Sequence, residues 1–278
     1  MFCMYKEIDI MSINGLGYLN QINRTHSAMQ GSLGKISSGS RFPSASYGPS
    51  DYAISVRMNS NTRATQQSLQ NTQTANSMLS TAAGGVNSTV NALSSLRDQL
   101  IKAANGTNTD SDRATISKTV DQTIATINEN SNIQYNGMNL LDGSHPSIAV
   151  ADSHGYRNVA LGNMAAQGLG LADNDGKSTL DLSTNQGIAS ALDTVDSALN
   201  KALDQATDIG AAQQNLNFAA NNYSTQILSS TDAESTNSDT DIAAEITRLR
   251  SHETLNQLAM MAQKMFMNQQ GMALNLLK

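Results

Sequence analysis

The sequence predicts a mainly α fold: a long antiparallel helical bundle or coiled coil formed by both chain ends, with a small β and loop segment in the middle. Three observations point to it. Apolar residues recur at alternating steps of three and four along both ends; the periodicity changes from about 133 to 187, where Gly, Asn and Asp punctuate short β-prone runs; and large apolar side chains are scarce. Of 278 residues, 39% are hydrophobic and 4% aromatic, with no Trp, a thin supply for a globular core of this size. Such a chain is expected to be elongated or to borrow burial from other subunits. Thirteen Met residues could serve helix seams or a core, since the thioether side chain packs adaptably.

The first ten residues, Met1 to Ile10, differ in composition from the rest of the chain and are expected to be a disordered extension outside the fold. From Leu19 the pattern runs Leu19, Ile22, His26, Met29, Leu33, Ile36, a heptad seam with one polar member. Arg41-Phe42-Pro43 and Tyr47-Gly48-Pro49 interrupt it, because proline removes a donor and restricts the residue before it. A second helix is predicted from the N-cap Ser50 to Ala104, ended by Asn105-Gly106, with a seam polar in its first half (Asn61, Thr65, Ser68, Thr72) and apolar later (Leu79, Val86, Leu93, Leu96, Leu100). A third carries Ile116, Val120, Ile124 and Ile127. The middle segment contains two β-prone runs, Ser147 to Ala151 and Thr179 to Leu182. The cleanest pattern comes after it: Ile188, Leu192, Val195, Leu199, Ala202, Ala206, Ile209, Gln213, Leu216, Ala220, Tyr223, Ile227, a narrow stripe read as intramolecular core. The last helix carries Ile242, Ile246 and Leu249, then Leu255, Leu258, Ala262, Met265, Gln269, Met272 and Leu276.

A net charge of −6 and the lack of a basic run argue against nucleic acid as a partner. No apolar stretch approaches the roughly 20 residues of a membrane-spanning helix, and the N-terminus lacks the layout of a secretory signal. The single Cys3 offers no internal disulfide. Charge is divided between the limbs. From Ser12 to Ala104 the basic residues are Arg24, Lys35, Arg41, Arg57, Arg63, Arg97 and Lys102 against Asp51 and Asp98, whereas Ile188 to Glu245 is acidic apart from Lys201. That complementarity favours pairing of unlike limbs.

Catalytic and metal motifs find no support. His252-Glu253 begins like a zinc-protease helix, but Asn256 stands where the second histidine is needed. His145 and His154 read as solvated loop residues. Gly170 to Ser178 has one residue too many for a phosphate loop, and Leu171 and Leu182 occupy the first and last ligand positions of a calcium loop, so a β-turn is expected. The chain is therefore expected to be no enzyme and to use no cofactor.

Several short stretches resemble one family, bacterial flagellin. Ile36-Ser37-Ser38-Gly39-Ser40-Arg41 is similar to its N-terminal "LSSGxR" signature, Ala103 to Asn108 to its "SANGT" turn, and Tyr135 to Gly143 to its "FNGxxLLdG" element. Ile209 to Leu216, Ala233-Glu234-Ser235 with Asp239 to Glu245, and Ala273 to Leu277 resemble its C-terminal half. The resemblance spans Ser12 to Gly143 and Ile188 to Leu277; Ser46 to Ser50 departs from it, replacing an acidic, Ala-rich stretch.

The resemblance implies an inner polymerisation domain from 11–45 with 245–278, and an outer, mostly helical domain from 46–244. It also implies an extracellular filament subunit, exported by the flagellar type III system with a chaperone, and meeting cap and hook-junction proteins. A hook–filament junction protein is the alternative, and a secreted binding module using the middle segment is a third; the C-terminal motifs favour flagellin. Because Leu255 to Leu277 contains a single charged residue, Lys264, the ends are expected to be the subunit interface. The expected residues are Leu19, Ile22, Met29, Leu33, Ile36, Leu255, Leu258, Ala262, Met265 and Leu276. These one-sided ends are expected to order only against a partner. Flagellins detected by the vertebrate Toll-like flagellin receptor carry two arginines and a leucine before the Asn-Gly turn, then a glutamate. Here Arg97 matches one arginine, but Ser95, Gln99 and Thr119 occupy the other positions, so innate receptor binding is expected to be weak.

Overall fold

A computed structural model of the chain describes the backbone of residues 2–152, 155–173 and 176–276, and side-chain surroundings for 17–152, 155–173 and 176–272. The helices are α1 (Phe2–Ser38), α2 (Pro49–Ala103), α3 (Asp110–Ser131), the single turn α4 (Ala166–Leu169), α5 (Asn185–Ser238) and α6 (Ile242–Leu276). Two antiparallel ribbons, β1 (Gln134–Tyr135) with β2 (Met138–Asn139) and β3 (Ser147–Asp152) with β4 (Gly155–Ala160), lie between α3 and α5 in sequence. The mainly α fold with a small central β segment is as the periodicity predicts.

The chain divides into two compact units, Met1–Asn61 with Ser229–Lys278, and Thr62–Leu228. The division falls within α2, after the expected 45/46, and within α5, before the expected 244/245. Side chains from those stretches belong to the first unit: Asn59 Nδ2 donates to Glu234 Oε1 at 2.8 Å.

The second unit holds the core. Leu79, Val86, Leu93, Leu96 and Leu100 of α2, Val120, Ile124 and Ile127 of α3, Leu140 and Leu141, and Ile188, Val195, Ala202, Ile209 and Leu216 of α5 are buried together. The polar half of the α2 seam is buried too, at Thr65, Ser68 and Thr72. Two of its hydroxyls are satisfied within the helix, because Ser68 and Thr72 donate to the carbonyls of Ala64 and Ser68 at 2.9 and 2.7 Å. Gly85 permits a close approach: a Cβ there would stand 2.7 Å from Leu141 Cδ1.

Three segments differ from expectation. Residues Phe2–Ile10 continue α1 as helix, where an extension outside the fold is expected. Thr179–Leu182 is not a strand; it folds back on the preceding loop, Thr179 N donating to Leu171 O at 3.0 Å, and the strand partner of Ser147–Asp152 is instead Gly155–Ala160. Helix α5 continues eleven residues past Ile227 to Ser238, because its end is capped by residues distant in sequence.

Candidate subunit interface

The junction between the chain ends is built by two of the motif stretches. Helix α1 stops at Gly39, whose φ of 68° places it in the left-handed region favoured for glycine at a helix terminus. Ser40 then bridges Asp239, with Arg41 N donating to Ser238 O at 2.7 Å and Thr240 N to Gly39 O at 2.9 Å. The Arg41 guanidinium donates to the carbonyls of Asn237 and Thr236, so a cation caps the C-terminal carbonyls of α5. Asp241 Oδ1 accepts from Ala244 N at 3.0 Å and caps the start of α6.

One turn into α6 stands Glu245, 4% exposed. Its Oε1 accepts from Ser32 Oγ at 2.8 Å and its Oε2 from Arg248 Nη1 at 3.0 Å. Burial pushes this carboxyl up, but the Ser32 hydroxyl, the nearby Lys35 charge and Arg248 outweigh it and hold it below its usual range. The hydrogen bond fixes the register of α1 on α6.

With that register, the face that α1 turns to α6 reads Tyr18, Ile22, Thr25, Met29, Ser32 and Ile36. The facing side of α6 reads Glu245, Leu249, His252, Asn256, Ala259, Gln263 and Phe266. Thr25, Ser32, Ala259 and Glu245 are buried, the others half-buried, and the Tyr18 and Phe266 rings lie 5.9 Å apart. The two ends thus pack against each other within one chain. The most buried part of their seam, however, is small and polar. Its deepest members are Thr, Ser, Ala and a carboxylate, so it removes little apolar surface from water.

Many of the large apolar side chains lie beside that seam, although Tyr18, Ile22, Met29, Ile36, Leu249 and Phe266 lie half-buried in it. Of the expected interface residues, Leu19, Leu33, Leu255, Leu258 and Met265 are exposed, Leu258 at 56% and Met265 at 64%. Ile22, Met29, Ile36 and Ala262 are half-buried between the two helices, and the side chain of Leu276 lies outside the described residues, as do those of Cys3 and His154. Met261 and Met272 extend the Leu258–Met265 stripe, and Met260 and Met267 are exposed on the other flank of the seam. A single-seam reading of the sequence passes over Met260, Met261 and Met267; the seven-residue spacing of Met260 and Met267 is the signal that marks a second flank.

Two of the remaining motif stretches, Ala103 to Asn108 and Tyr135 to Gly143, also build turns, whereas Ile209 to Leu216 lies within α5. In the second unit Asn108 Nδ2 donates to Lys102 O at 2.7 Å, closing the end of α2, and Thr109 with Asp112 forms a reciprocal cap on α3. Asn136 and Gly137, with φ of 50° and 77°, make the two-residue turn joining β1 to β2. Asp173 Oδ1 accepts from Lys177 N at 2.8 Å, a turn inside the Gly170–Ser178 loop. Arg97 pairs with Asp196 at 2.7 Å, joining the basic limb to the acidic one. Gln99 Nε2 donates to Thr123 Oγ1 at 3.2 Å, and Ser95 and Thr119 are exposed.

Capped helices from both chain ends, a thin seam between them and uncovered apolar flanks define a helical structural protein of the self-associating kind. Residues 12–145 match the bacterial flagellin N-terminal helical region and residues 192–277 the bacterial flagellin C-terminal helical region. The chain is 32% identical to the flagellar filament 30.7 kDa core protein of Treponema maltophilum, over 84% of this chain and 88% of that one. It is 29% identical to flagellin of Bacillus subtilis, over 91% and 94%. A solved chain from Vibrio parahaemolyticus, assigned as a flagellar hook-associated protein, shares the fold at a TM-score of 0.59 and 20% identity, covering 69% of this chain and all of that one. The chain belongs to the flagellin family. It is a structural subunit of the bacterial flagellar filament and not an enzyme. No helix among the described residues is long and apolar enough to cross a membrane.

Proposed function

We propose that filament subunits of this chain join through the uncovered apolar flanks of α1 and α6, with Leu19, Leu33, Leu255, Leu258 and Met265 at the contact. One observation carries the reading: the most deeply buried residues between the two helices are small or polar, while Leu19, Leu33, Leu255, Leu258 and Met265 stand exposed beside them. Contiguous exposed apolar surface of this kind is costly unless another molecule covers it. The single charged residue between Leu255 and Leu277, Lys264, leaves little to keep that surface apart from a second copy. Export through the flagellar type III channel with a chaperone, growth under a cap and attachment to hook-junction proteins complete this reading by family likeness.

Charging the flank tests it. Leu258 and Met265 are more than half exposed, so replacing both by Asp costs the isolated chain less than about 0.5 kcal/mol each. At a buried contact the same carboxylates lose their hydration without a partner. The double variant is expected to keep the wild-type circular dichroism and melting curve yet form no sedimentable filaments. Normal filaments from Leu258→Asp with Met265→Asp would overturn the assignment.

The same reading includes weak engagement of the innate flagellin receptor. Arg97 is held by Asp196, Ser95 offers no cation, and Gln99 is bonded to Thr123 instead of presenting an apolar anchor. Reporter-cell activation should be weaker by about 100-fold or more than that of a flagellin bearing the full arginine–leucine–glutamate set. Ser95→Arg with Gln99→Leu should recover part of it, and full potency of the unaltered monomer would contradict the reading.

A further inference from the structure

We propose that the exposed thioethers of α6 are an oxidation site through which hydroperoxides stop free subunits from assembling, an inference that rests on the subunit interface of α1 and α6. Five of the thirteen methionines fall between Met260 and Met272, and Met260, Met261, Met265, Met267 and Met272 are all at least half exposed. Among the large apolar residues that α6 leaves in water from Leu255 to Met272, only Leu255 and Leu258 are not thioethers. Met78 and Met164, in contrast, are 4% and 3% exposed in the core of the second unit. The chain therefore carries a reactive set and a protected set of the same functional group.

The chemistry is a two-electron oxidation. A sulfur lone pair attacks one oxygen of hydrogen peroxide; the S–O bond forms as the O–O bond breaks, and the other oxygen leaves with both protons as water. Each product is a sulfoxide, polar and hydrogen-bond accepting where the thioether was apolar. On Met261, Met265 and Met272, which share a stripe with Leu258, that change puts strong dipoles in the surface that has to be dehydrated. Subunits already in a filament would have the same sulfurs covered and would resist. Because sulfoxide reductases reverse the step, the block is a modification and not damage to the fold.

Peroxide treatment of the full-length monomer in a Cys3→Ser background, followed by peptide mapping, reads the site directly. The five α6 methionines are expected to oxidise at least about tenfold faster than Met78 and Met164. Seeded assembly of the oxidised monomer should fall by more than about tenfold and return after treatment with methionine sulfoxide reductases. A variant with all five changed to Leu should assemble equally with and without peroxide; reversal by the reductases in the unaltered sequence tests the same point without relying on that variant. Undiminished assembly of fully oxidised monomer, or a loss that the reductases do not reverse, overturns the inference alone. If untreated monomer forms no filaments, the interface reading fails and this inference falls with it.

Discussion

Glu245 shows how one residue converts a motif into geometry. It is buried against α1, and its two oxygens are divided between Ser32 and Arg248. Its carboxyl is held below its usual range by those partners and Lys35 despite burial. The ionised form therefore stabilises the fold at pH values above the ordinary carboxylate range, and that contribution drains away as pH falls through the folded-state value. Helix melting followed by circular dichroism should weaken on acidification, and Glu245→Gln should lower stability at neutral pH while flattening that acid dependence. Ser32→Ala removes the neutral donor and should cost about 1–2 kcal/mol at neutral pH. An acid limb unchanged by Glu245→Gln would assign the pH response to other carboxylates. Neither role is legible in the sequence: Glu245 is one acid among many in its limb, and its partner is more than two hundred residues away in the chain.

At the scale of the elements, periodicity finds the helices but places parts of their seams one residue off. In α5 the expected Ile188, Val195, Ala202, Ile209, Leu216 and Tyr223 are buried, but the alternate members of the deepest stripe are Ala191, Ala198, Gln205 and Ala219. Their larger neighbours Leu192 and Leu199 are half-buried. The same displacement occurs in α1, where Tyr18, Thr25 and Ser32 face α6 and Leu19, His26 and Leu33 do not. At Ala191/Leu192, Ala198/Leu199 and Ser32/Leu33, reading for hydrophobicity picks the larger neighbour, whereas close helix packing selects the smaller one. The α2 seam is legible from Thr65 onward, whereas its expected member Asn61 is exposed and Thr62 is buried in its place. Turns are legible as motifs, although what they do, capping α2, α3, α5 and α6, depends on partners that sequence spacing does not reveal. The phase has a measurable consequence in α5. Ala198→Leu should cost about 1–3 kcal/mol by overfilling a packed site, while Leu203→Ala, at an exposed position, should change stability by less than about 0.5 kcal/mol. Urea unfolding that ranks them the other way would show that the stripe is misassigned.

For the whole molecule, the two units differ in how they are held. The second has a continuous core of buried Leu, Ile and Val from α2, α3, α5 and the segment between the ribbons. The first relies on a polar junction and on a seam whose deepest members are small. Local opening costs least where buried apolar contacts are few, so α1 and α6 should open readily in a single chain and tighten when their flanks are covered. The family places this chain in the flagellar filament, and on the interface proposed above the ends, and not the core unit, would be completed by neighbours. Hydrogen exchange on monomer and filament, resolved by peptide, tests that claim most directly. Backbone amides of 19–36 and 246–272 are expected to exchange quickly in the monomer and to slow by about 100-fold or more in the filament, with 79–103 and 188–223 already protected in both. Filaments in which 19–36 and 246–272 exchange as fast as in the monomer would contradict the account.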